Sequence, residues 1–299
     1  MPVTACIAKD KDYTVKIRSG TLSLAELQKV LLEIMDEIHR VCVKNNIRYG
    51  LIAGSALGIV NYGGFIPWDD DIDVAVLRED WPRFLEALRR DLAEDYYFQC
   101  FETDTRYNTF INPSMKIRKR GTYIREKHPL VRNRCKSGDG VFVDVVVYDN
   151  VNENNFIDQR ARWVTRLLLP LAVLLDNLGI NPVRIKAFNL RHAYAYSRRC
   201  ENSRLISQPV SVPFERIGRE PVFDKTDVLP FRPYPFEGRT YYSYNHIEPI
   251  MRKWYGENCL KRQTANGYED PLPEKRRTAK HIRDVNLHGE QPLPKKRRR

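Results

Sequence analysis

Four aspartates fall within five positions, Asp69, Asp70, Asp71 and Asp73, flanked by Phe65-Ile66-Pro67-Trp68 and interleaved with Ile72, Val74 and Val76. An acidic run is ordinarily a solvated turn. Carboxylates anchored between buried segments instead repel one another strongly, and a bound divalent cation relieves that repulsion. Alternate residues of a strand share a face, so a strand here projects Asp71 and Asp73 together while Ile72 enters the core. Two carboxylates on one face suit the hard cations Mg2+ or Mn2+. Asp144 stands in the middle of Val-Phe-Val-Asp-Val-Val-Val, where an unpaired carboxylate is costly. A neighbouring strand would bring it beside Asp71 and Asp73 as a third ligand or as a base. Upstream, Gly54 and Ser55 lie where a strand gives way to a helix. Glycine lets a phosphate approach the backbone, and Ser55 with the following amides can donate to it. Lys116 and Arg118 share one face of another strand, offered either to phosphates or simply to solvent.

The elements that must position these residues appear as periodicities. Ser23 and Glu26 form a capping-box pattern, and Leu27, Val30, Leu31, Ile34, Met35, Ile38, Val41 and Cys42 follow at helical spacing to about residue 45. Ile47 to Ala53 reads as a buried strand, Ala56 to Val60 as a short helix, and Asp71 to Val76 as a strand. A second amphipathic helix covers Glu79 to Ala93. Strands follow near Tyr97–Phe101, Ser114–Arg118 and Val141–Tyr148. Alternation of helices and strands predicts an α/β (α+β) architecture, a central sheet flanked by helices. Residues from Phe156 to about Ser203 are helical and basic, the proline-rich stretch 209–236 reads as an irregular connector, and His246 to Tyr255 reads as a last short helix.

The chain has 299 residues and a formal net charge of +12, with 42% apolar residues, 16 Tyr, 12 Phe and 4 Trp. That much buriable surface excludes a disordered polymer. The positive charge is uneven: residues 275–299 hold ten Lys/Arg against two acids, and residues 155–204 hold nine against three. The rest is close to neutral, so the excess reads as a docking device for a membrane or a polyanionic glycan rather than as a nucleic-acid-binding fold. Six dispersed cysteines without CxxC spacing argue against structural zinc and for a reducing, cytoplasmic setting. Met1 to Asp12 lacks the apolar stretch of a signal peptide. Leu167 to Leu175 is too short to span a bilayer.

Leu51-Ile-Ala-Gly-Ser-Ala-Leu-Gly58, followed by Gly64-Phe-Ile-Pro-Trp-Asp-Asp-Asp-Ile-Asp73 and by Val143-Asp144-Val145, resembles the nucleotidyltransferase (polymerase β-like) fold and, more narrowly, the LicD/fukutin family. Phe236-Glu-Gly238, Trp254-Tyr-Gly256, Pro271-Leu-Pro-Glu-Lys-Arg-Arg277 and His281 extend the resemblance over roughly residues 21–285. Two features depart from the family: Ile59-Val-Asn-Tyr-Gly63 lacks its usual basic residues, and the insert before Pro271 is longer. The resemblance implies transfer of a phosphoalcohol, such as phosphocholine or ribitol phosphate, from a CDP-linked donor to a glycan hydroxyl, with release of CMP. It implies Asp71, Asp73 and Asp144 as metal ligands for Mg2+ or Mn2+, Asp70 and Asp69 as residues shaping the site, and Asp144 or Asp70 as proton acceptor. Gly54, Ser55, Lys116 and Arg118 become donor or phosphate contacts, and His281 a phosphate or acceptor contact.

The implied organisation is an N-terminal extension (1–20), a nucleotidyltransferase-like core (21–154), a helical and irregular elaboration packed on it (155–274) and a basic tail (275–299). The partners implied are a CDP-alcohol donor and a glycan or lipid-linked glycan acceptor. The arginines around Leu167–Leu175 suit either an interfacial helix on anionic lipid or a buried helix with snorkelling arginines. The location expected is cytoplasmic, with peripheral contact at a membrane face. Two other functions remain open: a nucleotidyltransferase moving NMP to a small molecule, and a nucleic-acid binder using Lys295 to Arg299.

Overall fold

The computed structural model describes residues 14–17, 20–110, 114–126, 135–212, 221–260 and 282–292. In chain order the elements are β1 (Thr14–Ile17), β2 (Gly20–Ser23), α1 (Leu24–Lys44), β3 (Tyr49–Leu51), α2 (Ala53–Tyr62), β4 (Asp73–Leu77) and α3 (Trp81–Asp91). They continue with β5 (Tyr96–Gln99), β6 (Met115–Lys119), β7 (Tyr123–Glu126), β8 (Phe142–Val151), α4 (Asn155–Asn177) and α5 (Val183–Arg199). The last are β9 (Leu205–Ser207), β10 (Val222–Asp224), α6 (Lys225–Val228), β11 (Arg232–Phe236), β12 (Arg239–Ser243), α7 (Ile247–Tyr255), a 3-10 turn (Glu257–Leu260) and β13 (Ile282–Asn286).

A mixed sheet organises the molecule, with the path β10-β9-β8-β4-β3-β12-β11 and β6 and β5 branching from β8. β4 and β8 run parallel, as do β12 and β3, while β3–β4, β6–β8 and β8–β9 are antiparallel. β8 is long enough to take β4 along one side and both β6 and β9 along the other, which explains its nearly unbroken apolar run. Helices flank the sheet. The apolar stripe read in α1 is buried from Leu24 to Cys42, and Ser23 stands at its N-cap, although its side chain does not make the capping hydrogen bond. Each large side chain so buried contributes about 1.5–3 kcal/mol.

The C-terminal part differs from the reading of an elaboration laid on a finished core. β9 to β12 are strands of the central sheet itself. The proline-rich stretch hides one of them: β11 pairs with β12 through Pro233↔Tyr242 and Pro235↔Thr240. Prolines two apart point their missing donors the same way, which an edge strand tolerates. The expected basic tail also contains structure, since β13 pairs antiparallel with β7. Among the described residues, no helix is long and apolar enough to cross a membrane.

Candidate active site

The site forms at the end of the sheet where β3 passes into α2, the loop 65–72 enters β4, and β8 begins. The Ile52 N–H donates to the Asp73 carbonyl at 3.0 Å, and the Ala56 N–H donates to the Ile52 carbonyl at 3.1 Å, starting α2. Between them Ala53 turns with φ at 51°. A non-glycine residue held there stores on the order of 1–3 kcal/mol of strain. The helix thus begins at Ala53, earlier than the sequence pattern suggests, and Gly54 and Ser55 lie in its first turn, where backbone donors lack intrahelical acceptors. Ser55 is buried, and its Oγ accepts the Asp73 N–H at 3.0 Å. A Cβ placed on Gly54 would stand 3.0 Å from Asp69 Oδ2. Glycine therefore lets the helix end come against the acidic loop.

Asp69, Asp70 and Asp71 carry carboxylate oxygens that lie within 4.8 Å of one another. Asp70 is buried and its two neighbours half-buried. The loop is fixed from both sides: Gln28 of α1 donates to the Asp69 carbonyl at 3.0 Å, and the Asp69 N–H donates to the Ile66 carbonyl at 2.8 Å. β4 begins only at Asp73, so Asp71 belongs to the loop rather than to the strand. Asp73 and Asp144 are register partners on parallel strands, and the Asp144 N–H donates to the Ile72 carbonyl at 3.0 Å.

Lys116 lies opposite Asp144 on its other side and donates to its Oδ1 at 2.9 Å. It also reaches Glu126 of β7 at 3.1 Å and stands 3.5 Å over the Phe142 ring. Burial pushes the Asp144 carboxyl up. The Lys116 ammonium opposes that shift, while the charges of Glu126 and Asp71 reinforce it. Arg118 donates to Gln99 at 2.8 Å and to the Gly140 carbonyl at 2.6 Å. Lys116 and Arg118 are 1% and 2% exposed, so their strand face is packed, not solvated. His281 lies outside the described residues.

Three tyrosines that the sequence reading did not name as site residues close the site. Tyr148, four residues beyond Asp144 on the same strand face, shares a 2.5 Å hydrogen bond with Tyr244, whose hydroxyl also takes a backbone hydrogen bond from Ala53. Tyr255 is half-exposed as a residue, and its phenol lies near Asp73, Asp69 and Asp71. Burial drives that phenol well above its ordinary range, and the charges of Asp73, Asp69 and Asp71 add to the effect. The period-two spacing from Asp144 was a usable signal for Tyr148, and Tyr255 sits inside the Trp254-Tyr-Gly256 segment. Nothing local marked Tyr244. Glu237 is a fourth contributor: its Oε1 accepts the Phe65 N–H at 3.1 Å, and its own N–H donates to Gly63 at 3.1 Å. The β11–β12 turn therefore supports the segment that leads to the aspartates.

Residues 46–171, which contain Gly54, Ser55, the four clustered aspartates, Lys116, Arg118 and Asp144, match the family model described as the LicD/FKTN/FKRP nucleotidyltransferase domain. The similarity to the LicD/FKTN/FKRP family is thus confined to this segment, less than half of the chain. Among similar proteins, the lipopolysaccharide cholinephosphotransferase LicD of Haemophilus influenzae is 40% identical over 81 residues, covering 27% of this chain and 31% of that protein. An uncharacterised protein of Rickettsia typhi is 40% identical over 58 residues, 19% of each chain. Another, from Rickettsia prowazekii, is 42% identical over 50 residues, 17% of this chain and 19% of that protein. The chain thus matches less than a third of the length of each of these relatives. The matched segment supplies every aspartate described above, whereas Gln28, Glu237, Tyr244 and Tyr255 reach the site from outside it.

Proposed function

We propose that this chain is a metal-dependent transferase of the nucleotidyltransferase fold. It moves a phosphoalcohol group of the phosphocholine or ribitol-phosphate type from a CDP-linked donor to a glycan hydroxyl and releases CMP. The observation that carries this reading is the convergence of Asp69, Asp70 and Asp71 at the mouth of β4, beside the Asp73–Asp144 pair and before the first turn of α2. The family of residues 46–171 and the cholinephosphotransferase activity named for the Haemophilus relative supply the chemical class.

The donor set fits Mg2+ or Mn2+: hard oxygens on three carboxylates, close enough together to share one ion. Asp71 with Asp69, Asp70 and Asp73 would hold it, and such an ion would supply positive charge to neutralise a donor diphosphate. The residues of the chain supply the rest. The first amides of α2, reached closely because residue 54 is glycine, receive donor phosphate oxygens. Asp144 is the proton acceptor. Lys116 holds one of its oxygens, and its raised proton affinity suits a base working near neutrality. The acceptor oxygen bonds to phosphorus as its proton passes to Asp144, and the P–O bond to CMP breaks with its electron pair leaving on CMP.

Incubating the full chain with Mg2+, a glycan acceptor and either CDP-choline or a nucleoside triphosphate separates the two transfer reactions. CMP released from CDP-choline supports phosphoalcohol transfer, whereas pyrophosphate released from the triphosphate indicates NMP transfer. Asp71→Asn combined with Asp73→Asn is expected to lower turnover by more than about a hundredfold with the unfolding transition retained. Retained turnover would remove these residues from the metal site.

A further inference from the structure

Apart from Val43 and Tyr255, every large apolar side chain exposed among the described residues lies between Phe156 and Tyr194, on the α4–α5 hairpin. Their positions are ordered. At about 100° per residue, Phe156, Arg160, Trp163, Leu167, Pro170, Leu171, Leu174 and Leu178 fall within about 60° of a single line along α4. All eight are exposed, Leu167 at 72% and Leu174 at 56%. The opposite side of α4 is already used: Ala161, Thr165 and Ala172 are buried, and Thr165 donates to Asn189 of α5 at 2.6 Å. The leucine stripe is therefore not the buried helix with snorkelling arginines that the sequence allows.

α5 runs antiparallel to α4, with His192 at 3.0 Å from the Ala161 carbonyl. It presents a second stripe at heptad spacing, Arg184, Arg191 and Arg198, all exposed and flanked by exposed Phe188 and Tyr194. Acids do not balance it. Asp158 is held by Arg162 at 2.8 Å and Asp176 by Lys186 at 3.1 Å, which leaves Glu201 as the remaining acid between residues 155 and 204. Arg191, Leu190 and Tyr194 also line a cavity of about 620 Å3 with Trp81, Phe101 and Thr109. Thr109 is 5% exposed, and its hydroxyl has no hydrogen-bond partner among the described residues.

We propose that the α4–α5 hairpin is a membrane-docking surface that lies on an anionic lipid bilayer, its leucine stripe entering the acyl boundary and its arginine stripe meeting the headgroup charge. Charge complementarity selects this occupant. An exposed leucine row on one helix and unbalanced exposed arginines on its antiparallel neighbour match an interface that is apolar within and negative at its surface. Two copies meeting through the same face would bring like-charged arginine rows together.

Co-sedimentation of the full chain with vesicles of phosphatidylcholine, alone or mixed with phosphatidylglycerol, tests the surface without donor or acceptor, so its outcome is independent of the proposed reaction. Binding is expected to be at least about tenfold tighter to the phosphatidylglycerol vesicles and to weaken with salt. Leu167→Gln with Leu174→Gln is expected to weaken it by about tenfold or more. Replacing Arg184, Arg191 and Arg198 with Gln is expected to weaken it roughly a hundredfold. These side chains are exposed, so both variants keep the unfolding transition; if one does not, the other decides. Undiminished binding by the variants would assign attachment elsewhere and overturn the proposal. So would light scattering that shows a dimer abolished by the same leucine changes.

Discussion

The Ser55 hydroxyl accepts the Asp73 N–H at 3.0 Å in a buried setting, so its first task is to fix the strand start that carries the acid. Ser55→Ala leaves that amide without its acceptor. Denaturant unfolding is expected to show a loss of about 1–3 kcal/mol, and donor turnover is expected to fall about tenfold as Asp73 loosens. A purely phosphate-binding Ser55 would change turnover and leave stability alone. The aspartates were legible because their signal is local: four acids between apolar flanks announce themselves within a short stretch of sequence. Lys116 was legible only as a basic strand residue. Its bonds to Asp144 and Glu126 depend on β6 lying against β8, and on where β7 follows, which no spacing along the chain reveals.

At the level of elements, α2 is held close to the loop that follows it. A Cβ on Gly58 would meet the Gly64 carbonyl at 2.2 Å, backbone against backbone, so neither partner can yield by changing a rotamer. Gly58→Ala is expected to cost about 1–3 kcal/mol of stability by thermal unfolding, and to lower activity further because the displaced loop carries Asp69 to Asp71. An unchanged melting point in that variant would show that the loop and helix are not rigidly coupled. The helices α1, α3 and α7 were readable from their apolar periodicity. β11 was not, since its two prolines imitate a connector, and β9, β10 and β12 are short pieces whose pairing is decided by distant strands.

Across the whole molecule, His39 ties the N-terminal helix to the sheet. Its Nδ1 lies 2.5 Å from the Tyr49 hydroxyl, and its ring packs against Tyr241 and Tyr242. Burial lowers its pKa, with Asp36 opposing. The unfolded chain, in which histidine titrates near about 6.5, therefore takes up the proton first as pH falls. Stability is undiminished by this group above about 6.5 and declines below that value until the folded-state pKa is passed. Urea unfolding between about pH 7 and pH 5 is expected to show a steeper decline in the wild type than in His39→Gln, the comparison cancelling the other groups that titrate there. Parallel pH curves would refute the assignment. The order of strands carries a further consequence. β3 is bordered on one side by β12, which arrives nearly 200 positions later in the chain and is joined through Ser243↔Leu51. The segment that matches the family, 46–171, ends long before β12 and begins after α1. Cut out alone, it would leave β3 as a bare sheet edge above an uncovered apolar face, a template for aggregation. The stretch that matches the family model is therefore smaller than the unit built around the sheet.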